Sequence, residues 1–240
     1  MLPAAGLEAH PARECLGSRN GIGMILFLGA IGLAVLAGYL AGGRMRRFER
    51  LDLRWWALAP LGLAIQVLPL PDGRHGTDLW VRIAVLSFSY SMLLAFAGRN
   101  IRIAGVPLVF AGLALNLAVI APNGGMPVSQ HALEASGQAD VLKLLLQDEG
   151  AKHHLMTPDD HLTPLGDVIP LGPPIKQVMS VGDVFVYLGL GWLIVAAMRG
   201  RTAASTPAPR RYRGKHRKGS RAASPGPPFP AEARTSGFGR

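Results

Sequence analysis

Five long apolar segments leave this chain few folds to adopt. They cover residues 24–41, 55–70, 79–97, 103–121 and 181–198. Each approaches the roughly 20 residues that a helix needs to cross about 30 Å of hydrocarbon. Strands would need alternating polarity, which these segments lack, and only helices or closed barrels satisfy their backbone groups inside a bilayer. The sequence therefore predicts an all-α integral membrane protein, a bundle of five transmembrane helices with one long extracytoplasmic loop.

The connections between these segments alternate between many and few basic residues. The first connection carries Arg44, Arg46, Arg47, Arg50 and Arg54. The third carries Arg99 and Arg102, whereas residues 71–78 hold only Arg74 and residues 122–179 have three lysines against seven acids. Short cytoplasmic connections are rich in Lys and Arg. The pattern predicts an N-terminus outside and a C-terminus in the cytoplasm. Heavy use of Ala, Gly, Arg and Pro is typical of a GC-rich bacterial genome, so the bacterial cytoplasmic (inner) membrane is the expected location.

Two polar ends flank the predicted membrane domain, residues 24–198. Residues 1–23 form a polar extension that we expect to be disordered, and the single cysteine, Cys15, excludes an intramolecular disulfide. Residues 199–240 hold eleven Lys or Arg and one acid, which accounts for the net charge of +10. Their Pro, Ser and Gly content favours disorder, and on the inner face they should attract anionic lipid. No folded recognition module accompanies them, which argues against nucleic-acid binding.

Small and polar residues inside the spans predict how the helices pack. Ala34, Gly38 and Gly42 recur at four-residue spacing, which suits close helix packing within the chain or in a homo-oligomer. Gln66 and Asn116 lie in the outer halves of their spans, where an interhelical hydrogen bond is favoured over a shared polar pocket. No Asp, Glu, Lys or His lies near the middle of a span, which disfavours an ion-coupled transporter.

Aromatic and cationic residues mark the expected membrane boundaries. Trp55 and Trp56 should lie at the inner headgroup level and Trp80 at the outer one. Arg82 would extend its side chain outward from the third helix, keeping its charge in the headgroup region.

The outer segment, residues 122–179, is too long for a passive connection and is the candidate functional region. It opens with Asn123, Gly124, Gly125, Met126, Pro127 and Val128. The Asn-Gly-Gly run permits positive φ and a tight exit from the fourth helix, and Pro127 is expected to start a helix. Residues 129–147 contain six Leu or Val but are too short to span, so they are expected to lie along the outer interface as an amphipathic helix.

A group of possible metal ligands follows in the same segment. It comprises His153, His154, Asp159, Asp160 and His161. Neutral imidazole and carboxylate suit zinc or another transition metal, but the spacing matches no standard ligand pair. An exposed His-rich loop is therefore favoured over a metal site, and no cofactor is expected.

Two Gly-Asp-Val triplets close the segment. In the second, Ser180 is positioned to cap the fifth helix and Asp183, three residues later, to return a hydrogen bond to the cap amide in a capping box. Asp167, in the first triplet, has no such evident role. It could cap a turn, pair with an arginine or bind a cation, and turn capping is the default.

Three motifs in this order resemble a known family. They are Asn123 to Val128, Leu165 to Pro170 and Ser180 to Val184, following four apolar helices. They resemble an uncharacterised bacterial multi-pass membrane family classed as a domain of unknown function, over roughly residues 24–198. The resemblance implies a small polytopic membrane protein with no established activity, so it assigns no catalytic residue.

Three functions remain open from the sequence. The leading one is a non-enzymatic membrane protein whose outer segment packs on the bundle or contacts a protein partner or lipid. The second is a membrane-embedded enzyme or metal-dependent factor that uses Asp167, Asp183, His154 and His161. The third is a small-molecule permease that uses Gln66 and Asn116. No nucleophile and base arrangement can be named, so the second ranks below the first.

Overall fold

A computed structural model describes residues 27–71, 75–146 and 152–201 of the chain. The predicted extension 1–23, Cys15 and the basic tail after Arg201 lie outside the described residues. Seven α-helices are described: α1 (Phe27–Leu40), α2 (Leu58–Val67), α3 (Gly76–Arg99), α4 (Val106–Asn123), α5 (Gln130–Ser136), α6 (Ala139–Leu146) and α7 (Val181–Arg199). Four short strands, β1 (Met126–Val128), β2 (His153–Leu155), β3 (Asp167–Leu171) and β4 (Gln177–Ser180), lie between α4 and α7.

Of the helices in the described ranges, α3, α4 and α7 are long and apolar enough to cross a membrane. The described part of α1 and the whole of α2 are apolar but shorter. The expected helix over 55–70 begins late because Trp55 takes a positive φ of 55°, and it ends at Val67, two residues before Pro69. A residue that precedes proline is biased away from helical geometry, which explains this early end.

The connections predicted to be cytoplasmic gather at one end of the helices. The backbone N–H of Arg44 donates to the Met198 carbonyl oxygen at the end of α7, at 2.8 Å, and Arg47 donates to the same oxygen at 3.3 Å. The Asn100 side chain, just after α3, bonds both backbone groups of Arg54, at 2.9 and 2.8 Å. The strands lie at the opposite ends of α4 and α7.

Helices α4 and α7 approach each other through two pairs of glycines. A Cβ on Gly182 would lie 2.7 Å from the Gly112 carbonyl oxygen, and a Cβ on Gly189 would lie 2.7 Å from the Gly105 carbonyl oxygen. Both pairs are seven residues apart on each helix, so the close contact repeats after two turns. Any side chain at these positions would force the helices apart.

Only part of the small-residue face expected on α1 packs against another helix. A Cβ on Gly38 would lie 3.0 Å from Cε of Met198, and Ala34 is buried, so this face packs on α7. Gly29, Gly32 and Gly42 have nothing within 4 Å of the position that a Cβ would occupy. Of the small residues on α1, Ala34 and Gly38 therefore take part in packing within the chain.

The outer segment forms a four-stranded sheet, so the expectations of an all-α chain and of one long loop are wrong there. The strand order is β2-β1-β3-β4, with β1 parallel to β2 and β3, and β3 antiparallel to β4. Each strand is only three to five residues long, too short for a sequence pattern to distinguish it from a loop. Most of the described residues are nevertheless helical.

The expected amphipathic helix over 129–147 is two helices, α5 and α6. Gly137 adopts φ +76° and ends α5 after seven residues. Leu133 and Leu145 are buried against Val128 of β1 and Val178 of β4, so these leucines form the core of the outer segment. Pro127 also departs from expectation, because it lies fully buried within β1 and the following helix is capped by Ser129.

Candidate functional site

The three sequence motifs are brought together by the sheet. The first motif supplies β1, the second begins β3 at Asp167, and the third begins at Ser180, the last residue of β4. Asp167 is opposite Val128 on one side and opposite Ser180 on the other. The backbone N–H of Ser129 also donates to the Asp167 carbonyl oxygen at 3.0 Å. Motifs separated by more than fifty residues of sequence therefore meet where α4 ends and α7 begins.

A buried polar cluster joins α4 to the start of α7. Ser180 accepts a hydrogen bond from the Asp183 N–H at 3.0 Å, and the Asp183 carboxylate accepts one from the Ser180 N–H at 3.1 Å, which confirms the predicted capping box. Asn116 completes the cluster. Its amide donates to Asp183 at 2.8 Å, and its carbonyl oxygen accepts from the Ser180 hydroxyl at 2.9 Å. Asn116 and Ser180 are 3% and 0% exposed, so both side chains are satisfied without water.

Tyr90 adds a third helix to this cluster. Its hydroxyl forms a hydrogen bond with the Asn116 side chain. Tyr90 is not among the residues predicted from the sequence. The spacing of α3 could have indicated it. Arg82, Leu86 and Tyr90 are four residues apart in turn, so they lie on the same face of the helix, and Arg82 and Leu86 are buried.

Asn123 attaches the outer segment to the end of α4. Its amide donates to the carbonyl oxygens of Val119 and His161, and its own oxygen accepts from the His161 N–H, each at 2.8 Å. The two bonds to His161 hold the backbone of that residue against the end of α4. Asn123 therefore has a structural role in positioning the 157–162 loop.

The two glycines of the first motif allow other parts of the chain to lie close to the end of α4. Gly124 ends α4 with φ +66°, and its carbonyl oxygen accepts a bond from Nε of Arg82 at 3.2 Å. A Cβ on Gly125 would lie 3.0 Å from the Lys152 carbonyl oxygen, which also accepts the Met126 N–H at 2.8 Å. Arg82 is only 2% exposed, so the expectation that it extends outward is wrong. Its guanidinium group is buried because the end of α4 leaves a free carbonyl oxygen, that of Gly124, which accepts its hydrogen bond.

The predicted His and Asp group separates into two pairs. His154 and Asp160 form one pair, with Nε2 and Oδ1 2.9 Å apart and both side chains mostly buried. Burial opposes ionisation of Asp160, but hydrogen bonds from Thr157 and His154 outweigh it, so the pKa of this carboxyl lies below its usual range. The second pair joins His153 to Asp167, with Nε2 and Oδ2 3.7 Å apart.

These five residues are not arranged as a metal site. Asp159 is exposed, and His161 is held through its backbone by Asn123. Within residues 27–71, 75–146 and 152–201, no group of three or more His, Cys, Asp or Glu residues could hold a metal ion.

Gln66 and Asn116 do not share the hydrogen bonds of one polar pocket. Gln66 is half-buried on α2, whereas the hydrogen bonds of Asn116 are made to Ser180 and Asp183. The polar contact of α2 is made instead by Gly62, whose carbonyl oxygen accepts from the buried Ser89 hydroxyl of α3 at 2.8 Å. A permease site built on Gln66 and Asn116 has no support from this geometry.

Comparison with known proteins agrees with the resemblance carried by the three motifs. Residues 50–195 match a family of unknown function, DUF5317. An uncharacterized protein of Thermotoga maritima is 31% identical over 183 residues, which cover 75% of this chain and 94% of that protein. No solved structure shows significant similarity. The matched region contains all three motifs and most of the helices described above, and the chain therefore belongs to the DUF5317 family of unknown function.

Proposed function

We propose that this protein is a multi-pass integral protein of the bacterial cytoplasmic membrane with a non-enzymatic role. In this proposal five helices, α1 to α4 and α7, cross or enter the bilayer. The N-terminus lies outside and the basic tail lies in the cytoplasm. The outer segment, residues 122–179, forms a folded outer domain that contacts a protein partner, a second copy or lipid. The length and apolarity of α3, α4 and α7 support membrane insertion.

One observation carries the non-enzymatic part of the proposal. The polar groups of the first and third motifs are used to join the outer domain to the helix ends. Asn123 binds the backbone of His161, and Asn116, Ser180 and Asp183 bind one another. A catalytic group must be able to reach a substrate, whereas Asn116 and Ser180 are 3% and 0% exposed.

The orientation can be tested with single cysteines. After Cys15→Ser, a cysteine is introduced at exposed Asp159 in one variant and at Ser205 in another. A membrane-impermeant thiol reagent added to intact spheroplasts should label Asp159→Cys and should reach Ser205→Cys only after lysis. Labelling of both positions in intact spheroplasts, or of neither, would contradict the proposed topology.

The role of the motifs can be tested with Asn123→Ala and Asp183→Ala. If these residues are structural, each variant should lower the thermal midpoint, and any loss of in vivo function should follow the loss of folded protein. Variants that fold normally yet fail to complement a deletion strain would instead indicate a functional site.

One feature favours an enzymatic function as the second candidate. His153 is 38% exposed beside an Asp167 side chain that is 10% exposed, so this pair has the residue types and the access that acid–base catalysis needs. His153→Gln and Asp167→Asn would test this function. Retained folding with lost complementation in both variants would favour it over the non-enzymatic role.

A further inference from the structure

The cytoplasmic end of α3 carries a cationic site beside an exposed tryptophan. Arg99 lies in the last turn of α3, and its guanidinium carbon is 5.8 Å from the centre of the Trp55 ring, a cation–π distance. Trp55 is 60% exposed although its ring contacts Arg99. One surface of the ring is therefore available to another molecule, and so are guanidinium N–H groups of Arg99.

Asn100 holds this arrangement together. Its side chain is 3% exposed and bonds both the backbone N–H and the carbonyl oxygen of Arg54, the residue before Trp55. Asn100 also donates to the Phe96 carbonyl oxygen at 2.8 Å, which anchors it to α3. Arg54, Trp55 and Arg99 are therefore positioned by one buried amide, and Trp55 keeps its unusual φ of 55°.

The cations at this site are not neutralised within the described part of the chain. No carboxylate there forms a salt bridge with Arg54, Arg99 or Arg102, all of which are exposed. The nearest acid in sequence is the exposed Asp52. An anion would therefore meet a positive local charge, and Arg presents planar N–H groups that match a phosphate.

We propose that Arg54 and Arg99, with the exposed ring of Trp55, bind the phosphate group and upper acyl chain of an anionic phospholipid in the cytoplasmic leaflet. Tryptophan favours the headgroup level and arginine favours phosphate, so the pair suits both parts of one lipid. This inference rests on the proposed membrane function and orientation. It differs from attraction of lipid by the basic tail, because the site is built from residues fixed to α3.

Brominated lipids test the proposal, because bromine on an acyl chain quenches only nearby tryptophans. The full chain is reconstituted in bilayers of phosphatidylcholine and phosphatidylglycerol at one fixed ratio. Bromine is placed on either lipid in turn. Brominated phosphatidylglycerol should quench the protein more than brominated phosphatidylcholine does at equal mole fraction. The difference should disappear in Trp55→Phe, although Trp56, Trp80 and Trp192 remain.

Charge variants identify the binding groups. Each arginine near the surface contributes about 1 kcal/mol to anionic-lipid attraction, which corresponds to roughly fivefold in affinity. Arg54→Gln with Arg99→Gln should therefore lower the preference for phosphatidylglycerol at Trp55 by more than tenfold. The backbone bonds between Arg54 and Asn100 are kept in this variant. The matched control, Arg210→Gln with Arg211→Gln in the tail, should retain the preference.

The outcomes separate this inference from the membrane proposal. Equal quenching by both lipids, a preference that survives in the Arg54/Arg99 variant, or a preference that is lost in the tail control would overturn the lipid site. The Asp159→Cys labelling is repeated in each variant. If that labelling shows the outer domain outside while the lipid preference is absent, only the lipid site is rejected. If the topology itself fails, the membrane proposal is rejected as well.

Discussion

Asn116 of α4 donates to the Asp183 carboxylate of α7 at 2.8 Å, so the capping box that begins α7 is bonded to a neighbouring helix. A capping box normally stabilises only its own helix. Here the same carboxylate receives a backbone N–H from Ser180 and a side-chain amide from Asn116. The start of α7, the end of β4 and α4 are therefore one hydrogen-bonded unit.

Asn116→Leu should destabilise the protein, because it removes a donor to Asp183 and an acceptor for Ser180 at a buried site. Leaving one buried polar group unsatisfied costs about 1–3 kcal/mol. We expect a lower midpoint of thermal unfolding, measured by circular dichroism in detergent. Gln66→Leu is the matched control, and its half-buried position predicts a change within about 0.5 kcal/mol. Equal effects of the two variants would contradict the assigned role of Asn116.

Gly182→Ala should weaken packing between α4 and α7. The added Cβ would lie 2.7 Å from the Gly112 carbonyl oxygen and would also meet the Asn116 side chain. Overpacking of this kind costs about 1–3 kcal/mol. Gly32→Ala is the control, because nothing lies within 4 Å of that position and alanine favours helix. The unfolding midpoint should fall for Gly182→Ala and stay level or rise for Gly32→Ala.

The stability of the outer domain should depend on the ionisation of Asp160. The pKa of this carboxyl is lowered from an ordinary value of 3.8, so the ionised form is favoured in the folded state. Its contribution is therefore fully present above the unfolded-state pKa and is lost as pH falls through the lower folded-state pKa. Thermal unfolding measured from pH 7 to pH 3 should show this loss.

Asp160→Asn should make that acid-dependent loss smaller, because the variant cannot titrate at this position. Asp159→Asn, which changes the exposed neighbouring residue, should leave the pH profile unchanged. A profile that responds to Asp159→Asn and not to Asp160→Asn would show that the buried pair with His154 is not the source.

Chelation should leave the protein's stability unchanged. His154 pairs with Asp160, and His153 pairs with Asp167. The possible ligands therefore form two separate pairs, and they do not converge on one metal position. A first-row metal site normally needs three or four protein ligands. We expect less than stoichiometric zinc in the purified protein and the same unfolding midpoint with and without EDTA. One metal per chain whose removal lowers the midpoint would refute this prediction.

Features set by local sequence were predictable. Each of the five apolar segments contains a helix, as their length predicted, because a run of this length is too long for a buried strand. The capping box at Ser180 and Asp183 was also predictable, since its two bonds join residues only three apart. The family resemblance was confirmed. It could be recognised in the sequence because the motifs that carry it are short and contiguous.

The tertiary structure alone decided which distant residues meet. Strands of three to five residues carry almost no periodic signal, so the sheet that brings Asp167 beside Ser180 could not be read from the chain. The burial of Arg82 depends likewise on a carbonyl acceptor at Gly124, more than forty residues away. The long apolar segments indicate which parts of the chain are helical, because the hydrogen bonds of a helix are made within one segment. The partners of a polar side chain depend on how the helices and strands pack, and that is settled only when the whole chain has folded.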